Sequence, residues 1–204
     1  GWRHAIIRAL GRNPAPRAHA WLTAELAAAS TGHRTDAVNS LATHPAAAHA
    51  ATAPLLERVE LDAWPHLRAA AANAIRVGCG HAASSEAVTR GLSFVRREAD
   101  ARAQAAVAGM TLACASSPTG ATGPGGAGGG DDAAHANPQR VLTELLGDAM
   151  PTEAKLTVLA QLRALSATPP AVLARYHAVV LGRLEAWRGL AYADADAGRL
   201  AVAG

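Results

Sequence analysis

The sequence predicts an all-α fold, an α-α superhelix in which about five antiparallel helix pairs stack in a right-handed solenoid. Three observations lead there. Alanine supplies 54 of the 204 residues, and alanine is the best helix former and a poor strand former. The aromatic residues are four Trp, two Tyr and one Phe. A core this short of rings is made of methyl groups, Leu and Val, so its elements must approach closely, which suits helix on helix and excludes a β-sandwich, a barrel or a parallel α/β sheet. The third observation is an internal repeat. A basic residue is followed by a small residue six places on and usually an aliphatic one at seven, in RHAIIRAL from Arg3, RTDAVNSL from Arg34, RAAAANAI from Arg68 and RAQAAVAGM from Arg102. The period is nearly constant from Arg3 to Arg102, and in the last frame the aliphatic slips one place to Met110. KLTVLAQL from Lys155 is a fifth candidate, at a longer step from Arg102. Setting aside the Gly/Pro/Ser stretch Pro118 to Pro138 brings that step back to the common period.

Each element has its own signals. The frames read as amphipathic helices; in the third, Leu67, Ala71, Ala74, Ile75 and Gly78 share one narrow face, with Arg68 and Arg76 elsewhere. Between the frames lie second helices. Asn13-Pro14 precedes HAWLTAELAAA, His44-Pro45 precedes APLLERVEL, Ser84 and Ser85 precede EAVTRGLSFVRRE, and Asn137-Pro138 precedes QRVLTELLGDA. Asn or Ser at the N-cap and Pro in the first turn are start signals. A pair of this length cannot bury its own apolar face and must stack on its neighbours. After Thr168, PPAVLARYHAVVLGRLEAWRGLAYA reads as one longer helix carrying Val172, Tyr176, Val179, Val180, Leu184 and Trp187. The expected organisation is a solenoid over residues 1–168, with a flexible Gly-rich loop at 118–137, and a long terminal helix or cap of the same domain at 169–204.

Nineteen basic residues against sixteen acidic ones give a net charge of +3. Lys155 is the only lysine among the bases. So small and scattered an excess predicts no nucleic-acid footprint. No apolar run approaches the roughly 18 residues of a membrane span, so no transmembrane segment is expected. The opening GWRHAIIRALGR has no initiator Met, no charged-then-apolar order and no cleavage site, and reads as an excerpt of a longer chain.

Chemistry-bearing patterns are weak. Gly123, Gly125 and Gly128 spell a GxGxxG, but no strand leads into it, and a dinucleotide fingerprint needs one. Asp131, Asp132 and His135 read as a loop end rather than a metal site. None of the nine histidines falls in HExxH or at finger spacing. Asp194, Asp196 and Gly198 lack the third acid and the closing Glu of a calcium loop. No cofactor and no metal is expected, and without nucleophile or acid–base spacing no enzyme is expected. Cys79 and Cys114 follow Arg68 and Arg102 at almost equal distance, near the ends of adjacent helices. They are either two small buried thiols or a disulfide, and a bridge would point to a secretory route. Arg34, Arg68 and Arg102 recur at one repeat position. They form either an ion-pair ladder, with Asp62 ahead of Arg68 and Asp100 ahead of Arg102 as acids, or a basic stripe for an acidic partner or phospholipid headgroups. Trp2, Trp21, Trp64 and Trp187 are the largest anchors available. One of them left exposed, Trp64 among them, would be a binding hot spot.

The helix unit with Asp or Arg at its turn resembles HEAT and armadillo repeats over residues 1 to about 165. A narrower resemblance is to the superhelical domain of vitellogenin-type large lipid-transfer proteins. It rests on RALGRNPAP at 8–16, RTDAVNSL at 34–41, LRAAAANAI at 67–75 and EAVTRGLSFVRREADARAQAAVAG at 86–109, in matching order. This resemblance implies a non-catalytic curved scaffold embracing the lipid-carrying domains of its own chain, in the secretory pathway. The broader one implies a cytoplasmic scaffold for a protein partner.

Overall fold

A computed structural model describes residues 1–82, 84–116, 138–147, 150, 154, 155, 158, 181 and 185. The chain divides into two compact units, Gly1–Gln161 and Leu162–Gly204. Of the second, only Leu181 and Glu185 are described, both helical. The expected loop at 118–137 and terminal helix at 169–204 otherwise lie outside the described residues, as do Trp187 and the Asp131, His135 and Asp194 patterns, and most of the frame from Lys155.

The described part of the first unit is all-helical: α1 (Trp2–Leu10), α2 (Pro16–Glu25), α3 (Thr31–Leu41), α4 (Pro45–Ala50), α5 (Thr52–Leu61), α6 (Pro65–Cys79), α7 (Ser85–Val95), α8 (Ala101–Ser116) and α9 (Pro138–Leu145). Of the expected start signals, Pro45 and Pro138 open α4 and α9 and Ser84 caps α7, whereas α2 begins at Pro16 rather than at Pro14. Pro16, Pro45 and Pro65 open α2, α4 and α6, where a missing amide hydrogen costs nothing. The Asn13 side chain accepts from the Ala15 amide at 2.9 Å just ahead of α2, and the Ser84 hydroxyl accepts from the Ala87 amide at 3.2 Å to cap α7. The second-layer segment after His44 is not one helix but two, α4 and α5, broken at Ala51 (φ −94°, ψ 14°). Pro54 is the cause: it has no amide hydrogen to continue α4, yet fits in the first turn of α5, where donors go unused.

The helices α1, α3, α6 and α8 pack one on the next, while α2, α5 and α7 each pack against the following member of that series. The α6 face expected from the sequence is buried in full, Leu67, Ala71, Ala74, Ile75 and Gly78 all being sealed. Ala69, Ala72 and Cys79 are buried too, because α3, α4, α5 and α8 all pack against α6. Small residues set the spacing. At Gly78 a Cβ would stand 2.6 Å from the His49 amide nitrogen, so α4 can cross α6 only over a glycine. At Gly11 a Cβ would stand 2.6 Å from the Ser40 Cβ.

Candidate functional site

The polar groups between helices repeat. Arg34, fourth residue of α3, donates from Nη1 to the carbonyls of Ala28 and Ala29 at 2.8 and 2.9 Å, and from Nε to the Asp62 carboxylate at 2.8 Å. Arg68, fourth residue of α6, donates from Nη1 to the Asp62 carbonyl at 2.9 Å and grips the Glu98 carboxylate with Nε and Nη2 at 2.7 and 2.8 Å. Each arginine closes the turn before its own helix and reaches the acid of the next turn along the chain. Those acids are used twice: Asp62 also accepts from the Trp64 amide, and Glu98 from the Asp100 amide. Burial pushes the Glu98 carboxyl up, but the Arg68 hydrogen bond, the Asp100 amide and the Arg68 charge outweigh it and hold Glu98 below the ordinary carboxylate value. The Arg68 guanidinium is correspondingly raised, chiefly by its hydrogen bond to Glu98.

The third expected member of this series is corrected. Arg102 is exposed and joins no tie among the described residues. The position belongs to Gln104, fourth residue of α8, buried and donating from Nε2 to the carbonyls of Glu98 (2.9 Å) and Val95 (3.2 Å). The turn into α8 opens with Asp100, whose carboxylate accepts from the Ala103 amide at 2.8 Å. Asp100 thus caps its own helix instead of pairing with Arg102. Arg102 stands two places short of the ladder position, about 200° away around the helix. Asp62 likewise serves Arg34 with its carboxylate and Arg68 only with its carbonyl. The signal in the sequence is the cap: counting four places from the helix start, rather than matching arginines, finds Gln104.

The other layer has ties that the repeat does not mark. Arg90 of α7 holds Glu60 of α5 with two hydrogen bonds of 3.0 and 2.8 Å, and Arg96 reaches Glu144 of α9 at 3.2 Å. The Arg90 hydrogen bond keeps Glu60 below the ordinary carboxylate value. At the first helices, Arg3 meets the buried Glu25 at 2.6 Å and His4 lies 2.6 Å from Asp36.

Cys79 and Cys114 are joined in a disulfide with Cα atoms 4.9 Å apart, linking the last residue of α6 to the last turn of α8. Of the two readings open in the sequence, the thiol pair is thereby excluded; Ala- and Gly-rich faces bring the helix ends within bonding reach. Trp64 stands at the N-cap of α6, 53% exposed, its ring centroid 5.9 Å from that of His66. Leu61, at the end of α5, is also exposed.

Two shallow grooves on the α1, α3, α6 and α8 series share Asn39 in their lining. Arg8, Arg12, Asp36, Asn39 and Thr43 line the first; Asn39, His66, Asn73, Arg76 and Arg102 line the second. Among the described residues no group of three or more His, Cys, Asp and Glu could hold a metal, and no helix is long and apolar enough to cross a membrane. No family model matches the chain, and no curated protein or solved structure matches it.

Proposed function

We propose that the chain is a non-catalytic α-solenoid of HEAT/armadillo-like build that serves as a scaffold holding a partner protein. The observation that carries this reading is the recurrence of one tie, Arg34 to Asp62 and then, one repeat further on, Arg68 to Glu98. A unit that binds its neighbour in the same way each time is what a linear stack requires. A stack of this kind offers a long surface across several helices, and the two grooves sharing Asn39 are such a surface. The buried Asp62, Glu98 and Gln104 are all consumed in ties between helices and turns, which supports a structural use for them rather than a catalytic one.

A second reading has its own observation. The Cys79–Cys114 bridge suits an oxidising compartment and, with the motif order over 8–109, supports the superhelical layer of a vitellogenin-like lipid-carrying protein. Lipid extraction and cross-linking of the protein purified from its native source separate the two. Stoichiometric co-purifying lipid selects the lipid-carrying reading. Lipid-free material cross-linked through the Asn39 grooves to one protein selects the scaffold. Material with neither overturns both.

A further inference from the structure

Helix α1 buries one residue, Ile7, and leaves a stripe on its other side bare. Trp2, Ala5, Ile6 and Ala9 stand at the i, i+3, i+4, i+7 spacing of a single helix face. All four are exposed, Trp2 at 77% and Ile6 at 40%. Ile7 lies about 150° around the helix from the middle of that stripe. Helix α2 repeats the pattern: Ala20, Trp21 and Ala24 are exposed, while Ala18, Leu22 and Glu25 are buried. Trp2, Ile6 and Trp21 are half of the exposed large apolar side chains among the described residues, and all three belong to the first helix pair. An apolar stripe of this kind marks an interaction face.

The repeat frame shows what these positions do elsewhere in the chain. Ile6 and Ala9 follow Arg3 as Ala37 and Ser40 follow Arg34, and as Ala71 and Ala74 follow Arg68. In α3 and α6 all four are buried. Ser40 sits directly on α1, its hydroxyl donating to the Ile7 carbonyl at 3.3 Å. The stripe on α1 is thus the face by which α3 meets its predecessor, left uncovered. One more helix of the same series does not fit it. The inner faces approach closely because Ala37, Ser40, Ala71 and Ala74 are small, whereas α1 carries Ile6 at the place of Ala37 and Ala71, with Trp2 one turn before. Large side chains there need small ones opposite, and α1 itself supplies them. Two α1 helices packed antiparallel about the middle of the stripe set Trp2 of each over Ala9 of the other, and Ile6 against Ala5. Each contact is then made twice, which is the requirement of a two-fold interface.

We infer that the chain pairs with a second copy of itself through α1, two-fold and antiparallel, with Trp2 and Ile6 as the anchors. Large side chains seated among small ones carry most of the energy of such a contact. Arg3 and Arg8 flank the stripe, and Glu25 neutralises Arg3 at 2.6 Å. Arg8 leaves the rim positive on both copies, so screening by salt strengthens the dimer. Helix α1 is about 14 Å long, a small contact that places the dimer in the micromolar range rather than the nanomolar. The pairing goes beyond both functional readings and rests on neither; it doubles whatever the solenoid holds or carries.

The test is sedimentation velocity of the full 204-residue chain, carried up to about 100 µM, above the weak end of specific interfaces. A reversible monomer–dimer equilibrium that tightens as salt rises is expected. The Trp2→Asp/Ile6→Asp variant should dimerise at least about tenfold more weakly. Leu61→Asp/Trp64→Asp, at the other exposed apolar pair, should dimerise as wild type. Ile6→Cys, close to the two-fold axis, should be joined into a covalent dimer by a short bismaleimide, since the native cysteines are bonded to each other; Leu61→Cys should not. A chain that stays monomeric throughout overturns the pairing and leaves the stripe to a different protein or to another segment of a longer chain. A dimer lost in the Leu61/Trp64 variant but kept in the Trp2/Ile6 variant overturns the α1 face. Assemblies larger than a dimer, or a dimer that weakens with salt, overturn the two-fold apolar contact. If the Trp2/Ile6 variant fails to melt cooperatively, Ile6→Cys decides, and the lack of a cross-linked dimer overturns the proposal.

Discussion

Gln104 occupies in α8 the position that Arg68 occupies in α6. Each is the fourth residue of its helix, and each donates to the carbonyl six places back, Glu98 for Gln104 and Asp62 for Arg68. The charged member also reaches an acid of the next turn; the neutral one spends its amide on a second carbonyl, that of Val95. Removing Gln104 leaves buried acceptors without a donor, so Gln104→Ala should cost about 1–2 kcal/mol. Arg102→Ala, on the exposed face, should stay within about 0.5 kcal/mol of wild type. Urea denaturation of the two variants checks the register, and the reverse order would return Arg102 to the ladder.

Glu98 is buried and binds Arg68 through both oxygens. Glu98→Ala should lose about 2–3 kcal/mol, since it strips a mostly covered guanidinium of its partner and the Asp100 amide of its acceptor. Equal stability of wild type and variant in urea would show the tie to be ornamental.

Acid should act through the same groups. The Glu98 and Glu60 carboxyls are held below their ordinary value in the folded chain, so the unfolded chain takes up protons first. Their stabilisation is complete above the unfolded carboxylate value of about 4.3 and is lost as pH falls through the lower folded values. Melting temperature should therefore be flat from neutral pH down to that region and drop below it. Glu98→Gln should flatten the acid limb, and an unchanged limb would remove Glu98 from the account.

Gly78 poses two opposed effects. Alanine is the better helix former by about 1 kcal/mol, but its Cβ would stand 2.6 Å from the backbone of α4. Backbone cannot rotate away as a side chain can, and overpacking costs about 1–3 kcal/mol. Gly78→Ala should destabilise in thermal melts; a stabilised variant would show that α4 is loosely seated.

The disulfide closes a separation of 35 residues. Replacing it in Cys79→Ala/Cys114→Ala should cost about 2–4 kcal/mol while leaving the chain helical. Thiol titration of native material under denaturing, non-reducing conditions should find no free cysteine, and two free thiols would count against the bridge.

Helical content and the place of most helices were legible because they depend on local chemistry: alanine propensity, Pro45 and Pro138 in first turns, the Ser84 cap. The ladder was legible where charge marks it, at Arg34 and Arg68, and lost at Gln104, because a neutral amide can do the backbone half of the work and a nearby arginine imitates the period. The break at Ala51 hinged on one missing hydrogen, on Pro54, inside an otherwise helical run. Cys79 and Cys114 could not be paired from sequence, since bonding depends on an inter-helix spacing set by the neighbouring small residues.

The bridge between α6 and α8 also has a mechanical meaning. A chain pulled from its two ends transmits tension through the sulfur–sulfur bond and bypasses the segment between the cysteines, which stand 35 positions apart. About 120 Å of contour length is withheld from extension. All of α7 and most of α8 would thus sit in a shunt that carries no force, while α1 to α5 peel away in series.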